Sequence, residues 1–422
     1  MTVETLVTAK SFADLYHAEA ARLPGAELPW LSTRRELALA RLLDLGLPTA
    51  RLEQWRYTPA LANRLGALSL PDAGAGADWN GLLPQADLQI AVDEGAARVV
   101  KSPETGLSLR RLSDLVALPQ DEAEQLLAAP AETAFAAINE ALLQDGLFIE
   151  AKATDTPQVI EIAYRGEAGL ANLRLDLALA SGAEVVLLER FSGPAGLNNQ
   201  VTTLRLAAGA RLTHVQIFEE GADATHLAES KVSVARDAHY QSYLLFAGAG
   251  LTRRAVDIDL LEQGAGAVLD GAYLLNERAH GDLTSHIRHA APDTISKETV
   301  KGVLGGRARQ VFRGKITVEE GASRADGRMA NKTLLLSDQA EIDTKPELMI
   351  FHDDVQCAHG ATSGKLDEQA LFYLRSRGLP LTLARTLLLR CFLEETLERL
   401  ADPALKAAVT APLEERLEEI AR

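Results

Sequence analysis

The densest cluster of residues able to do chemistry is His352, Asp353, Asp354, Cys357 and His359, within the run FHDDVQCAHGATSGKLDEQ. Cys357 and His359 stand two positions apart. If the segment is extended, both side chains leave the same face of a strand and can meet one metal ion or cluster. Thiolate and neutral imidazole both bind iron. Two donors do not complete a site, because an iron–sulfur cluster and a structural zinc each take four ligands. The second cysteine, Cys391, lies in a leucine-rich stretch and is expected to be a small buried core residue. The missing ligands must then come from another chain. Two plainer alternatives remain. One is an inert thiol beside a hydrogen-bonded surface histidine. The other is a cysteine nucleophile with a histidine base, although neighbours at i, i+2 leave no third group to orient the base.

A second group, His280, His286 and His289 with Asp282 and Asp293, could in principle hold a metal. The expectation is that these residues solvate a long loop. No G-x-x-x-x-G-K-[ST] loop occurs, and Gly360 to Lys365 has the wrong spacing to wrap a phosphate. No nucleotide is therefore expected to bind this chain, and ATP chemistry would belong to a partner. Asp353, Asp354, Arg375 and Arg377 permit a rival reading as a carbohydrate-cleaving site, of the kind parallel β-helices also carry.

Composition narrows the field. Lys and Arg number 43 against 59 Asp and Glu, a formal charge of −16, which opposes nucleic-acid backbones and anionic membranes. No stretch approaches the roughly 20 apolar residues that span a bilayer. Met1 to Lys10 lacks a basic segment followed by a long apolar run, so a cytoplasmic location is expected, and two cysteines in 422 residues suit a reducing compartment. With 47% hydrophobic residues the chain can build a large core without staples.

Three regions must position the cluster of polar residues. Residues 1–146 read as helix-rich: Ser11 is placed to cap Phe12–Leu23, Ser32 to cap Arg34–Leu45 with a stripe of Leu37, Leu39, Leu42, Leu43 and Leu45, and Glu132–Gln144 forms a further helix. Pro71–Ala77, PDAGAGA, reads as a surface loop. From 147 to 366 the period becomes two, as in Leu173, Leu175, Leu177 and Leu179, or Val256, Ile258 and Leu260. Turn pairs recur at Gly182-Ala183, Gly209-Ala210, Asp237-Ala238 and Gly266-Ala267, with spacings of 27, 28 and 29 residues. Strands returning at near-constant intervals without helices between them suit a parallel β-helix, with a stacked antiparallel sandwich as the competing fold. Residues 367–422 are helical again, with Gly378-Leu379-Pro380 as a stop, Thr382–Leu400 apolar on more than one face, and a third helix over Leu413–Ile420.

At these residues a family resemblance emerges. The block Ala325–Gly378 resembles SufD-type members of the SufB/SufD family through Asn331-Lys332, Leu334–Ser337, Asp343-Thr344-Lys345-Pro346, Asp353-Asp354, Cys357, His359-Gly360-Ala361-Thr362 and Leu371-Phe372-Tyr373-Leu374. Lys301–Leu304, Ala308-Arg309, Val311-Phe312, Glu53 and Trp55-Arg56-Tyr57-Thr58 extend the likeness over nearly the whole chain. Thr333 and Cys391 depart from the family's usual asparagine and small residue. The resemblance implies a mainly β protein: a right-handed parallel β-helix between an N-terminal helical region and a C-terminal helical domain. It further implies a non-catalytic scaffold in iron–sulfur cluster assembly, working with a SufB-type subunit and two copies of the SufC ATPase docked on the C-terminal helices. Cys357 and His359 match the family's interface positions, where a transient cluster is shared with the partner. In isolation, exposed β-helix edges make a homodimer plausible.

Overall fold

The computed structural model of the chain describes residues 7–58, 65, 68–71, 79, 81–127, 132–248 and 250–422. Most of the loop expected over Pro71–Ala77 lies outside them. The core is a parallel β-solenoid in which the chain alternates between two facing sheets. One sheet stacks Leu88–Asp93, Gln158–Arg165, Glu184–Ser192, Arg211–Phe218, His239–Phe246, Gly266–Leu275, Ile295–Leu304, Asp326–Leu335 and Gln356–Gly364. The other stacks Asp145–Ala151, Leu170–Leu179, Ala195–Leu206, Asp223–Val234, Leu251–Leu260, His280–His289, Arg309–Val318 and Glu341–Ile350. Antiparallel strands Ala96–Lys101 and Leu107–Arg111 close the N-terminal end of each sheet. Because Leu88–Asp93 pairs in parallel with Gln158–Arg165, the first sheet reaches into the region expected to be helix-rich.

Each coil turns on one residue in the left-handed region: Gly182, Gly209, Asp237 and Gly264, then Asp293 and Arg324, with φ between 54° and 75°. A buried small residue follows each, and Ala183, Ala210, Ala238 and Ala265 donate to the carbonyl three residues back. The fourth turn is thus Gly264-Ala265. Gly266-Ala267 is already strand, so the repeat spacing there is 27, not 29. The segment Gly264-Ala265-Gly266-Ala267 offers two Gly-Ala pairs, and only the φ of 75° at Gly264 marks which of them is the turn.

Stacking in register aligns like residues along the axis. Tyr164, Phe191, Phe218, Phe246 and Tyr273 form a continuous ladder with ring centroids 4.6, 5.0, 5.2 and 4.3 Å apart. The ladder ends at Gly302, the next register partner. Beside it lies a buried polar cluster: Glu189 accepts from Tyr164, Gln200, His214 and Gln216, and Arg254 reaches Gln216 and Ser230, while Gln200 Oε1 is left without a partner.

Helices cover both outer faces. Helix Ala134–Ala141, capped by the Thr133 hydroxyl, buries every residue on the second sheet, where Asn139 donates to the carbonyls of Leu173 and Asn199. Helix Ala9–Glu19 is capped at Thr8; Ser11 is its N3 partner and accepts from the Thr8 N–H. Helix Pro29–Leu45 starts earlier than Ser32, because Pro29 at the first position presets the helical φ. Its leucines divide: Leu39 and Leu42 are buried, whereas Leu37, Leu43 and Leu45 are exposed.

At the other end of the chain, Asp367 caps helix Glu368–Ser376 and Gly378 turns it, at φ 93°. Helix Leu381–Leu397 buries Leu389, Leu393 and Leu397 in one apolar cluster with Val215, Ile217, Tyr243, Leu245 and Val303 of the first sheet. Helix Pro403–Ala421, capped by Asp402, runs through Pro412, so it begins well before the expected Leu413. No helix is long and apolar enough to cross a membrane among the described residues.

Candidate functional site

Cys357 and His359 lie on Gln356–Gly364, the last strand of the first sheet, and their spacing sets them on one side of it. In register they stand over Gly327 and Met329 of the preceding strand. That side faces the space between the two sheets. In the middle of the solenoid such positions are core; here no further coil follows, so His359 is exposed and Cys357 only half-buried. Cys357 packs on the end of the core, beside Ile342, Leu348 and Val355. A Cβ at Gly327 would be tight only against Ile316 Cγ2, at 3.2 Å, and would meet Cys357 Sγ and His289 Nε2 at ordinary contact distances of 3.5 Å. Burial pushes the Cys357 thiol up, Asp326 adds to the rise, and the Gly327 backbone opposes it.

The acidic pair beside them is turn. The Asp354 N–H donates to His352 Nδ1 at 3.1 Å, its carbonyl accepts from Arg324, and Asp353 and Asp354 point to solvent. Among the described residues no ion pair joins them to Arg375 or Arg377, and the Arg377 guanidinium stacks on Tyr373 instead. Cys391 is exposed, contrary to the expectation that it is core. Helix Leu381–Leu397 presents Leu389, Leu393 and Leu397 to the sheet, and position 391 falls about 200° away from 389.

His280, His286 and His289 occupy a strand, not a loop. They also serve separate partners. His280 meets the Thr58 hydroxyl at 3.1 Å, and Asp282 pairs with Arg253 and accepts from Thr58. His286 meets Thr317 on the outer face, while His289 is held inside by Thr294 and Ser296 at 2.8 Å each. Burial pushes the His289 imidazole down to about 4. Asp293 pairs with Arg324 at the coil turn. The polar run misled because its alternation is that of a strand whose two faces are both satisfied. Among the described residues, no three His, Cys, Asp or Glu side chains are grouped to hold a metal ion, and Cys357 and His359 stand as a pair.

Two apolar surface features stand out, the second agreeing with the expectation that Thr382–Leu400 is apolar on more than one face. Met349, Ile350 and Phe351 are 41%, 44% and 52% exposed at the open end of the solenoid, beside the donor pair. Phe372 and Tyr373 are 75% and 58% exposed on the first C-terminal helix, with Leu381, Leu383 and Leu387 exposed on the next. In the sequence they correspond to the apolar runs Leu348–Phe351 and Leu371–Leu374 and to the leucines opening helix Leu381–Leu397. Conversely, Glu53 and Trp55–Thr58 are structural staples. Trp55 packs on Phe135 under the Arg253 guanidinium, and Glu53 pairs with Lys345 of the last strand of the second sheet.

The fold is a parallel β-solenoid whose open end carries Cys357 and His359 on one side of its last strand. The family model for the SufBD core domain of SUF-system FeS cluster assembly matches residues 163–392, and the chain belongs to that SufB/SufD family. It is 29% identical over 402 residues to the iron-sulfur cluster assembly protein SufD of Escherichia coli strain K12, covering 92% of this chain and 93% of that one. Shorter stretches match a SufBD family protein of Synechocystis (32% over 189 residues, 45% of this chain and 42% of that one) and SufD of Bacillus subtilis (33% over 136 residues, 32% and 31%).

Proposed function

We propose that this chain is a non-catalytic scaffold subunit of an iron–sulfur cluster assembly complex, contributing Cys357 and His359 to a cluster-building site completed by a SufB-type subunit. The observation that carries this is the placement of an incomplete Cys/His pair on the last, half-exposed strand of the solenoid. A cluster needs four ligands, and this pair supplies two. Around it stand unpaired strand edges and the exposed Met349, Ile350 and Phe351, a surface suited to continuing both sheets into a related solenoid. The nascent cluster is cargo, formed at the interface and passed on.

Helices Glu368–Ser376 and Leu381–Leu397 fit the docking of a SufC-type ATPase, because Phe372, Leu381, Leu383 and Leu387 are exposed apolar side chains on their outer surfaces. Nucleotide turnover then belongs to that partner, and no nucleotide binds here. The same reading places the chain in the cytoplasm, where the free thiols of Cys357 and Cys391 stay reduced.

The test is co-expression with SufB-type and SufC-type partners and anaerobic purification. A Cys357→Ala/His359→Ala complex that assembles but loses its iron and sulfide supports a shared site. One that keeps both reduces this subunit to an adaptor.

A further inference from the structure

Helix Leu381–Leu397 sits on the first sheet through leucines, yet a polar cluster interrupts that apolar contact. Lys301, 5% exposed, lies under the helix with its ammonium donating to the Phe392 carbonyl and standing 4.8 Å from the Phe392 ring centroid. Glu395 Oε2 is 2.7 Å from Lys301 Nζ and 3.7 Å from Lys332 Nζ. Lys301 and Lys332 are direct register partners on adjacent parallel strands, and the next position in that row is Thr362 of the strand bearing Cys357 and His359. Like charges side by side on one face of a sheet repel. Glu395 is the carboxylate between them, and the Lys301 contact holds its carboxyl below the usual range.

Other polar contacts of this helical region, Thr396 with Tyr243 and Arg399 with Asp270, fall on strands nearer the middle of the solenoid. Glu395 alone, among the described residues, joins the helix ionically to the strand next to the edge. Covalent connection reinforces it, since Lys365, Leu366 and Asp367 are all that separate the edge strand from helix Glu368–Ser376.

We propose that Glu395 is a positioning residue, a latch that couples the seating of helix Leu381–Leu397 to the order of the edge strand carrying Cys357 and His359. With the latch closed, the one carboxylate lies between the two ammonium groups and offsets their mutual repulsion, and the edge strand is held on Asp326–Leu335. Lifting the helix withdraws the carboxylate, leaves two adjacent ammonium groups on neighbouring strands, and loosens the edge. A partner engaging the exposed Leu381, Leu383 and Leu387 can thereby act on the donor pair without touching it. This rests on the site reading above. Iron and sulfide content tests that reading and the measurement below tests the latch, so either can fail alone.

Hydrogen exchange on the full chain, read by mass spectrometry, is the test, with segment 184–192 as an internal reference. In Glu395→Gln, amides of 356–364 and 381–397 are expected to exchange roughly tenfold faster, the size of a lost charged hydrogen bond to a buried group. Adding Lys332→Met should remove the repulsion and bring both segments back towards the wild-type rate. Raising ionic strength should speed the same two segments together in the wild-type chain, which needs no variant to fold. Faster exchange at 381–397 with 356–364 unchanged would overturn the coupling. So would an equal acceleration at 184–192, or a double variant as fast as the single one.

Discussion

Cys357 and Cys391 show how little a residue's type says about its chemistry. The leucine-rich surroundings of Cys391 suggest core, yet it faces solvent, while Cys357 in a polar run is half-buried with its thiol pushed up by burial. The thiolate is the nucleophile. At pH 7.5 iodoacetamide is therefore expected to modify Cys391 several-fold faster than Cys357, and the Cys357 rate should keep climbing at pH values where an ordinary thiol has levelled off; peptide mass spectrometry of timed quenches reads both. Glu298 gives a second titration. Enclosed in the solenoid and bonded by Ser285, its carboxyl is raised by burial to about 8, against about 4.3 for an ordinary glutamate. A raised carboxyl binds its proton more tightly in the folded chain. Its stabilising contribution is thus complete below the ordinary carboxyl range and is lost as pH rises through about 8. Urea midpoints of the wild type are expected to fall between pH 6 and pH 9, and Glu298→Gln should flatten that fall. An equal slope in both proteins would show that Glu298 is not the group responsible.

Elements follow from local rules more faithfully than residues do, but only where the rule is local. Thr133, Asp367 and Asp402 cap the helices that follow them through side-chain oxygens. Where two signals compete the nearer physical constraint wins, as with Pro29 over Ser32. The strands were legible as alternation, whereas the ladder from Tyr164 to Tyr273 was not, because its members are 27 or 28 residues apart and meet only when coils stack. Phe218 sits in the middle of it, fully buried between Phe191 and Phe246. Phe218→Ala is expected to cost about 3–5 kcal/mol in equilibrium unfolding, from lost burial plus the cavity left behind. A loss below 1 kcal/mol would mean the coils can close the gap.

Across the whole molecule the two ends of the solenoid differ. Antiparallel strands close the N-terminal end, while the C-terminal end leaves Glu341–Ile350 and Gln356–Gly364 without a following coil. Open strand edges beside exposed Met349, Ile350 and Phe351 favour association. In isolation the chain is expected to sediment as a concentration-dependent dimer, and Ile350→Lys, which puts a charge on that end without touching the core, should return it to a monomer. A variant that still dimerises would place the contact elsewhere.

By itself the sequence determined that residues from about 147 onward form short strands of period two at near-constant intervals, that helices close the chain, and that one Cys/His pair shares a strand face. Each is a statement about neighbours within a few residues, which backbone geometry and side-chain alternation control directly. The tertiary structure alone decided that the pair lies on the last coil, where an inward position becomes an exposed one. It also decided that three histidines of one strand serve three separate environments, and that Glu395 lies between two lysines. Those facts depend on which coil sits above which, and stacking over intervals of about thirty residues leaves no trace in local periodicity.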